Sequence, residues 1–374
     1  MCELSAYTVD MPMARSFGHA ANNRNTAESL VLTYEHAGIA ANGECAPRHY
    51  VTGETLASVS AELAQVNWTR YRDGLESSDP VGVLQTLMAH GMGDVLGAIP
   101  QNNTCCALEL LAIDVLCKRL QAPVLKQLAV PAAMLAPRPF SQVKDTALSV
   151  DTFLASRGPF HVVKVKAGSH FAEDLVVLDT LRAALGPQTT IIFDVNMAWS
   201  LDDALVRCTA LRERQVNIVE EPLPPRSFSA LAQLQRRTGI EVMLDESLCS
   251  LSDATQAAQL RSCTHFNLRV AKLGGLSRAL ELARFADEVG MGYQVGVQVA
   301  ECATLIDAGR TLSFLLPNAF TTEAGQSDLF FPNPIAQPSS KLDRADNVII
   351  APCGAGFGTV MTTAISPFQH TRYF

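Results

Sequence analysis

The stretch HVVKVKAGSH, residues 161–170, places two lysines in an otherwise apolar run. Val162, Val163 and Val165 are β-branched and favour an extended strand. Because side chains alternate between the two faces of a strand, Lys164 and Lys166 point to the same side. If the valines face apolar packing, both ammonium groups face a different environment, and the pair calls for a chemical explanation.

Strand-like and helix-like runs alternate through the part of the chain after residue 130, which predicts a parallel sheet covered by helices. Five successive strands end in a charged residue, at steps of 28, 26, 25 and 24 residues: Lys166, Asp194, Glu220, Asp245 and Arg269. One strand and one helix per step fit a closed (β/α)8 barrel, in which active sites lie at the carboxyl ends of the strands. The first strand, near MLAPRPFSQV (134–143), is interrupted by proline. A doubly wound open sheet stays an alternative, although no GxGxxG follows a first strand.

Composition excludes several classes of protein. The chain has 374 residues and a net charge of −8, which argues against nucleic acid as a partner. No apolar run is long enough to cross a bilayer, and the start of the chain lacks the pattern of a secretory signal, so we expect no membrane partner and a cytoplasmic location. Ten cysteines without a CxxC pair predict reduced thiols, and neither a disulfide framework nor a zinc site.

Residues 1–130 are predicted to form a separate α+β domain that precedes the barrel. SLVLTYEHAG (29–38) is typical of a strand and turn, and the stretch from residue 52 to residue 121 has helical periodicity. Two polar or Gly-rich stretches, 18–29 and 46–55, are predicted to be loops.

Three acids end neighbouring predicted strands at the same phase of the repeat: Asp194, Glu220 and Asp245. Three carboxylates at one barrel mouth cannot all stay ionised without a cation, and oxygen ligands select Mg²⁺ or Mn²⁺. The structural alternative is that each acid caps the helix after its strand. For the lysines, the alternative is an ordinary ion pair. Three acids in phase beside two lysines in phase favour the metal site.

A divalent cation beside a lysine suggests proton transfer at the carbon next to a carboxylate. The cation neutralises the charge that grows as this carbon loses its proton, and the lysine removes or returns the proton. The predicted partner is therefore a small carboxylate substrate.

These motifs resemble the enolase superfamily, specifically the muconate lactonizing enzyme (muconate cycloisomerase) branch of its mandelate racemase/muconate lactonizing enzyme family. The stretches that carry the resemblance are KVK (164–166), FDVN (193–196), VEEP (219–222), LDES (244–247), KLGG (272–275), GVQVAE (296–301), TEAG (322–325), GECAPRHYVTGET (43–55) and ALELLAIDVL (107–116). Each motif is weak alone, whereas their order and spacing are specific.

The resemblance implies a modified (β/α)8 TIM barrel (131–340) with an N-terminal α+β capping domain (1–130) and a C-terminal segment (341–374) that returns to the cap. It also implies Mg²⁺ ligation by Asp194, Glu220 and Asp245, and a homo-oligomer. Lys166 would be the base, and Lys164 would hold the carboxylate and help Lys166 to lose its proton. Glu323 would take part in catalysis. The residues that would bind the substrate are His19, Arg24, Arg48, Tyr50, Asn196 and Gln298.

Arg269 departs from the pattern of this branch, which places a second catalytic lysine in its position. Arginine stays protonated and cannot act as a base, which disfavours racemisation or epimerisation with two bases. One-base chemistry remains, with Arg269 as a clamp on an anionic substrate or, alternatively, in a structural salt bridge. The sequence thus predicts an isomerase or lyase, most of all a cycloisomerase. A dehydratase, such as an o-succinylbenzoate synthase or an acid-sugar dehydratase, and a catalytically silent metal- and carboxylate-binding protein stay alternatives.

Overall fold

The computed structural model describes residues 2–19, 22–98, 100–299 and 301–374, without the side chains of residues 18, 19 and 22–24. None of the helices in these ranges combines the length and the apolar character needed to cross a lipid bilayer.

The chain begins with an antiparallel meander of strands β1 (Glu3–His19), β2 (Asn22–His36) and β3 (Ile39–Cys45). Strand β2 includes most of the stretch 18–29 that the sequence predicted to be a loop, because residues 22–28 continue the pairing with β1. Helices then follow: α1 (His49–Thr52), α2 (Leu56–Leu63), α3 (Trp68–Leu75), α4 (Pro80–His90), α5 (Met92–Leu96), α6 (Asn102–Arg119) and α7 (Val124–Gln127).

Helix α6 forms the core of this N-terminal part and packs against β3. It is buried on nearly all sides, from Asn103 to Cys117. Gly43 of β3 lies so close that a Cβ atom there would overlap the Ala107 carbonyl oxygen of α6. A glycine at this position therefore lets the sheet and the helix approach each other.

Eight parallel strands follow one another in sequence order around a single sheet. These strands are β5 (Gln142–Lys144), β6 (Val162–Lys166), β7 (Thr190–Asp194), β8 (Ile218–Glu220), β9 (Glu241–Leu244), β10 (His265–Leu268), β11 (Gly292–Val295) and β12 (Thr321–Thr322). The Ser141 amide, next to β5, donates a hydrogen bond of 2.9 Å to the Thr322 carbonyl in β12 and so joins the first strand to the last. The predicted (β/α)8 barrel with an N-terminal α+β domain is confirmed.

Helices cover the outside of this sheet, as expected for parallel strands buried on both faces. The helices that cover it are among α8 (Val150–Arg157), α9 (Phe171–Leu185), α10 (Leu201–Glu213), α11 (Phe228–Thr238), α12 (Leu251–Leu260), α13 (Val270–Leu273), α14 (Leu276–Val289) and α15 (Thr304–Leu315), whereas α16 (Ser327–Phe330) packs on β1. Serine side chains begin several of them by accepting a backbone N–H; Ser200, for example, caps α10.

Short strands complete the chain: β4 (Arg138–Pro139) before the barrel, then β13 (Ala336–Gln337), β14 (Lys341–Asp343), β15 (Val348–Ile350), β16 (Val360–Met361) and β17 (His370–Arg372). Strand β17 pairs antiparallel with β1, with Ser5 opposite Arg372. The last strand therefore joins the N-terminal sheet. The predicted boundaries near residues 130 and 340 stay predictions.

Candidate active site

The register of the barrel strands brings the charged residues together. Lys166 lies opposite Asp194, and Asp194 lies opposite Glu220, on three neighbouring strands. All three are buried, with Lys166 7% exposed and the two acids 0%. Since parallel strands end at the same edge of the sheet, these groups form one continuous charged layer at the carboxyl end of the barrel.

Lys164 lies at the centre of the acids. Its Nζ atom is 2.6 Å from Glu323 Oε1, 2.8 Å from Glu220 Oε1 and 3.0 Å from Asp194 Oδ2. Burial alone would lower the pKa of Lys164, but the three carboxylates outweigh it and hold the pKa well above its usual value. In this state Lys164 is a charged group that neutralises the acids.

Lys166 is held at two points and covered by an aromatic ring. Its Nζ atom is 2.5 Å from Asp194 Oδ2 and 3.2 Å from Asn196 Oδ1. Asn196 adopts a left-handed backbone (φ 49°), which asparagine tolerates better than most residues, and donates from Nδ2 to Glu246 at 3.0 Å. The Phe17 ring, carried by the β1–β2 hairpin, lies 5.9 Å from Lys166 Nζ. The amine is thus oriented by polar groups beneath an apolar cover.

Arg269 follows β10 and is 7% exposed. Its guanidinium donates to the Asp245 carboxylate and lies 3.9 Å from Glu220 Oε1. Burial would lower the pKa of Arg269, but these and other acids raise it above its already high value. Arg269 is therefore a permanent cation. Gly296 makes room for this arrangement, because a Cβ atom there would overlap the Asn267 side-chain oxygen and lie 3.0 Å from Arg269 Cγ.

The three predicted metal ligands are fully buried, and cations lie between them. Lys164 contacts both Asp194 and Glu220, and Arg269 reaches both Glu220 and Asp245. These three acids do not bring their oxygens within 4.8 Å of one another as a set; the one set of three His, Cys, Asp or Glu side chains that does so, among the described residues, lies in the N-terminal domain. Their role as ligands stays a prediction.

The pKa values of the acids differ because the neighbouring cations stabilise some of the buried carboxylates more than others. Burial favours the neutral carboxyl, yet Lys164 and Lys166 hold the pKa of Asp194 well below its usual range. Burial raises the pKa of Glu220 to about 8, and the neighbouring Asp194 adds to the shift. Burial and the charge of Asp245 likewise raise the pKa of Glu246 to about 8, and Glu246 Oε2 has no hydrogen-bond partner. A buried, all-oxygen donor set with excess negative charge fits a hard dication such as Mg²⁺.

A pocket opens onto this layer. Of the predicted site residues, Lys164, Lys166, Arg269, Gln298 and Glu323 line it. The Val297 amide donates to Glu323 Oε2 at 3.0 Å, which fixes this carboxylate beside Lys164. The structure thus brings the predicted base, the permanent cation and the last-strand acid to one cavity.

Other predicted substrate-binding residues do not line this pocket. Arg48 is 3% exposed and donates to the carbonyl oxygens of Glu28, Pro47 and Val299, so it connects the N-terminal domain to the loop after β11. Tyr50 is 38% exposed. Their roles in substrate binding stay predictions. The side chains of His19 and Arg24 lie outside the described residues.

Two buried charged residues near the site were missed by sequence reasoning. Glu301 lines the pocket and accepts a hydrogen bond of 2.7 Å from the Gln298 amide. Burial raises the pKa of Glu301 to about 8. Lys272, in the KLGG motif, lies 2.9 Å from Asp245 Oδ1. The signal for both was an isolated charge among apolar or small neighbours, in VAE (299–301) and VAKLGG (270–275).

Comparisons with known proteins agree with the fold and the motifs. The D-Ala-D/L-Ala epimerase of Cytophaga hutchinsonii is 24% identical over 289 residues, which cover 76% of this chain and 75% of that protein. Chloromuconate cycloisomerase CbnB of Cupriavidus necator is 32% identical over 158 residues, or 41% of this chain and 43% of that enzyme. The crystal structure of the C. hutchinsonii dipeptide epimerase with Mg and the dipeptide D-Ala-L-Val superposes with a TM-score of 0.80 at 20% identity, over 99% and 98% of the two chains.

The family of enolase C-terminal domain-like proteins matches residues 145–365, which is more than half of the chain. This range contains the barrel strands from β6 to β12 and every predicted metal ligand. Epimerases and cycloisomerases, the relatives found, are isomerases of one superfamily. The protein is therefore an enzyme of the enolase superfamily, as its motifs predicted.

Proposed function

We propose that the protein moves the hydrogen on the carbon next to a substrate carboxylate, with Lys166 as its single base and Mg²⁺ as cofactor, in a cycloisomerase-like reaction. The observation that carries the proposal is the pairing of Lys166 with Arg269 in one pocket. The first residue is an amine that can exchange a proton; the second is a cation that cannot. The similarity to chloromuconate cycloisomerase supports this choice within the superfamily.

The two residues lie on opposite sides of the barrel. Lys166 ends β6, the second strand of the sheet, and Arg269 follows β10, the sixth. In a closed eight-stranded barrel these strands are diametrically opposed. A substrate between them would meet a base on one face and a fixed positive charge on the other.

Asp194, Glu220 and Asp245 would hold the cation, which supplies positive charge to the substrate carboxylate as its neighbouring carbon loses a proton. Lys166 would take that proton at Nζ and return it, since Asn196 Oδ1 at 3.2 Å keeps the amine aimed into the pocket. Phe17 would limit the access of water to this amine.

Lys164 and Arg269 would orient the anionic parts of the substrate. Lys164 lines the pocket, and it can donate to a carboxylate in place of one of its three acid partners. Arg269 NH1 lies 3.5 Å from Gln298 Oε1, and its Nε atom is buried without a hydrogen-bond partner. This spare donor on the face opposite the base suits an oxyanion or carboxylate of the substrate.

Epimerisation of a dipeptide is the second candidate, because epimerases are among the relatives with the longest matched regions. Epimerisation with one base on each face needs a second group that can take up a proton where Arg269 stands. The high pKa of Arg269, which buried acids raise further, opposes this reaction.

Deuterium exchange in heavy water tests the proposal. The enzyme, with Mg²⁺ or Mn²⁺, is incubated with a panel of acids that contains lactone acids, hydroxy acids and dipeptides, and incorporation beside the carboxylate is followed by NMR. Lys166→Met is compared with Lys126→Met, which changes an exposed lysine on α7. We expect metal-dependent exchange or lactone conversion that Lys126→Met retains and Lys166→Met loses by at least about 1000-fold.

Three results would refute the proposal. Exchange that Lys166→Met retains would assign the base elsewhere. Substrate binding without exchange or conversion of any acid in the panel would favour a silent binding protein. Loss of water from hydroxy acids, with no conversion of the lactones, would favour the dehydratase.

A further inference from the structure

The N-terminal domain contains a cluster of potential metal ligands outside the barrel: Cys2, His36 and Glu76. One ligand atom from each of them, a sulfur, a ring nitrogen and a carboxylate oxygen, lies within 4.8 Å of the other two. Cys2 precedes β1, His36 is the last residue of β2, and Glu76 follows α3. Three separate elements therefore meet at this point, which no spacing along the sequence reveals.

The backbone around the cluster is well anchored. Glu3, next to Cys2, pairs with Glu35, next to His36, in the β1–β2 ladder. Arg119 donates to the carbonyl oxygens of Leu75 and Ser77, at 2.6 and 2.7 Å, on either side of Glu76. The backbone that carries the three ligands is thus held in place, so it would lose little conformational entropy when an ion binds.

The side chains have ligand atoms that the fold leaves available. His36 Nδ1 is buried and has no hydrogen-bond partner among the described residues. The Cys2 thiol interacts with polar groups of Tyr34 and Glu76, and burial raises its pKa. Arg72 lies close enough to act on the thiol electrostatically, so a thiolate formed there would have a cation beside it.

We propose that Cys2, His36 and Glu76 bind a Zn²⁺ ion, with water as the fourth ligand. Thiolate, imidazole and carboxylate are the ligands that Zn²⁺ takes, at about 2.0–2.3 Å, which places neighbouring ligand atoms about 3.3–3.8 Å apart in a tetrahedron. The observed limit of 4.8 Å requires only small side-chain rotations. Mg²⁺ does not compete, because it prefers oxygen ligands.

Binding exchanges a proton for the metal. The S–H bond of Cys2 breaks, the sulfur–zinc bond forms, and the proton passes to the solvent, with no change of oxidation state. The bound ion would join the start of β1 to the end of β2 and to the residue after α3. It would lie in the N-terminal domain, whereas the proposed catalytic ligands lie in the barrel.

Cobalt substitution in the full chain tests the site. Co²⁺ is added to the metal-free protein in the presence of saturating Mg²⁺, and the thiolate-to-cobalt charge-transfer band is recorded in the near ultraviolet. Cys2→Ser and His36→Gln are compared with Cys353→Ser, which removes an exposed thiol outside the cluster. The predicted catalytic ligands include no sulfur, so the band reports only on cysteine.

We expect one equivalent of Co²⁺ to produce the band in the parent protein and in Cys353→Ser, and Zn²⁺ to displace it. Cys2→Ser should lose the band, and His36→Gln should weaken cobalt binding by at least about tenfold. Unchanged circular dichroism of the metal-free variants separates loss of the site from loss of the fold. No band in the parent protein, or a band that survives in Cys2→Ser, would overturn the proposal.

Discussion

The buried carboxylate of Glu44, together with Arg48, joins the N-terminal domain to the loop after β11, and we predict the effect of removing this carboxylate. Glu44 lies on β3 and is 0% exposed. Its two oxygens accept hydrogen bonds from the amides of Cys302, Ala303 and Leu305, at 2.9, 2.8 and 2.9 Å. These amides precede or begin α15, and the residues just before them, Gln298 and Glu301, line the pocket.

The structure sets the magnitude of the loss. Glu44→Ala leaves three amides without their acceptor, at about 1–3 kcal/mol each. Relief of the burial that raises the pKa of Glu44 offsets part of this loss. We expect a fall of about 3 kcal/mol or more in the free energy of unfolding. Glu44→Gln keeps one acceptor oxygen and can orient its amide so that only the N–H and the thiol of Cys302 lose their acceptor, which predicts about 1–2 kcal/mol.

Urea denaturation of the two variants measures these differences, with Glu35→Gln, an exposed acid on β2, as the control. In the same samples, kcat/KM for the deuterium exchange should fall about 10- to 100-fold in Glu44→Ala, because the loop that carries Gln298 and Glu301 loses its anchor. A free energy of unfolding for Glu44→Ala within 1 kcal/mol of the control would refute this reasoning.

Three further predictions concern stability and stereochemistry. Burial raises the pKa of Glu109 from 4.5 to about 6, so the folded state favours its neutral form, and the contribution of Glu109 to the free energy of unfolding should fall by about 2 kcal/mol as the pH rises from below 4.5 to above 6. Urea titrations across this range should show a smaller fall in Glu109→Gln, and an equal fall would contradict the assignment. Gly356→Ala should lower the free energy of unfolding, measured by heat or urea, by at least about 2 kcal/mol more than Gly38→Ala. Both glycines have positive φ, but only a Cβ atom at Gly356 would overlap the Asp114 carboxylate. Equal losses of stability in the two variants would argue against this packing. Arg269→Lys places an amine that can exchange a proton opposite Lys166, so chiral chromatography should detect the second enantiomer of an exchanged substrate; an unchanged single enantiomer would show that the position does not reach the reacting carbon.

The sequence predicted the barrel because its signal is local and repeated. Strands β6 to β10 each carry a run of apolar residues that is followed by or ends in a charged one, and the structure places a strand at each of these five runs. The first and last strands gave weaker signals. They have three and two residues in the structure, and a hydrogen bond from Ser141 to Thr322 completes their pairing. Such short segments depend on tertiary contacts that no periodicity reveals.

The sequence also identified which charges meet at the site, but not how they pair. Strand phase predicted that Lys164, Lys166 and the three acids share one layer, and the register places Lys166, Asp194 and Glu220 opposite one another on neighbouring strands. It did not predict that Lys164 and Arg269 would bridge the acids. The ion pairs that a long, flexible side chain forms depend on all the charged groups around it, and strand phase does not specify these.

Contacts between the two parts of the chain were the least predictable. The sequence did not predict that the Arg48 guanidinium would donate to backbone carbonyl oxygens, including that of Val299. Glu44 gave a weak signal, one acid at the end of an otherwise small and apolar strand. In both cases the partner lies more than 200 residues away along the chain, and a polar residue in a loop or strand does not indicate which distant backbone it will meet.

The stereochemical course of exchange tests the central claim most directly. A single enantiomer of an acid that the enzyme exchanges is incubated in heavy water with Mg²⁺, and both enantiomers are analysed for deuterium by NMR and chiral chromatography. With Lys166 as the only base and Arg269 fixed as a cation, deuterium should enter with retention of configuration, and the second enantiomer should stay undetectable. Equal labelling of both enantiomers by the parent protein would contradict the account, because it requires a second group that delivers a proton from the side of Arg269.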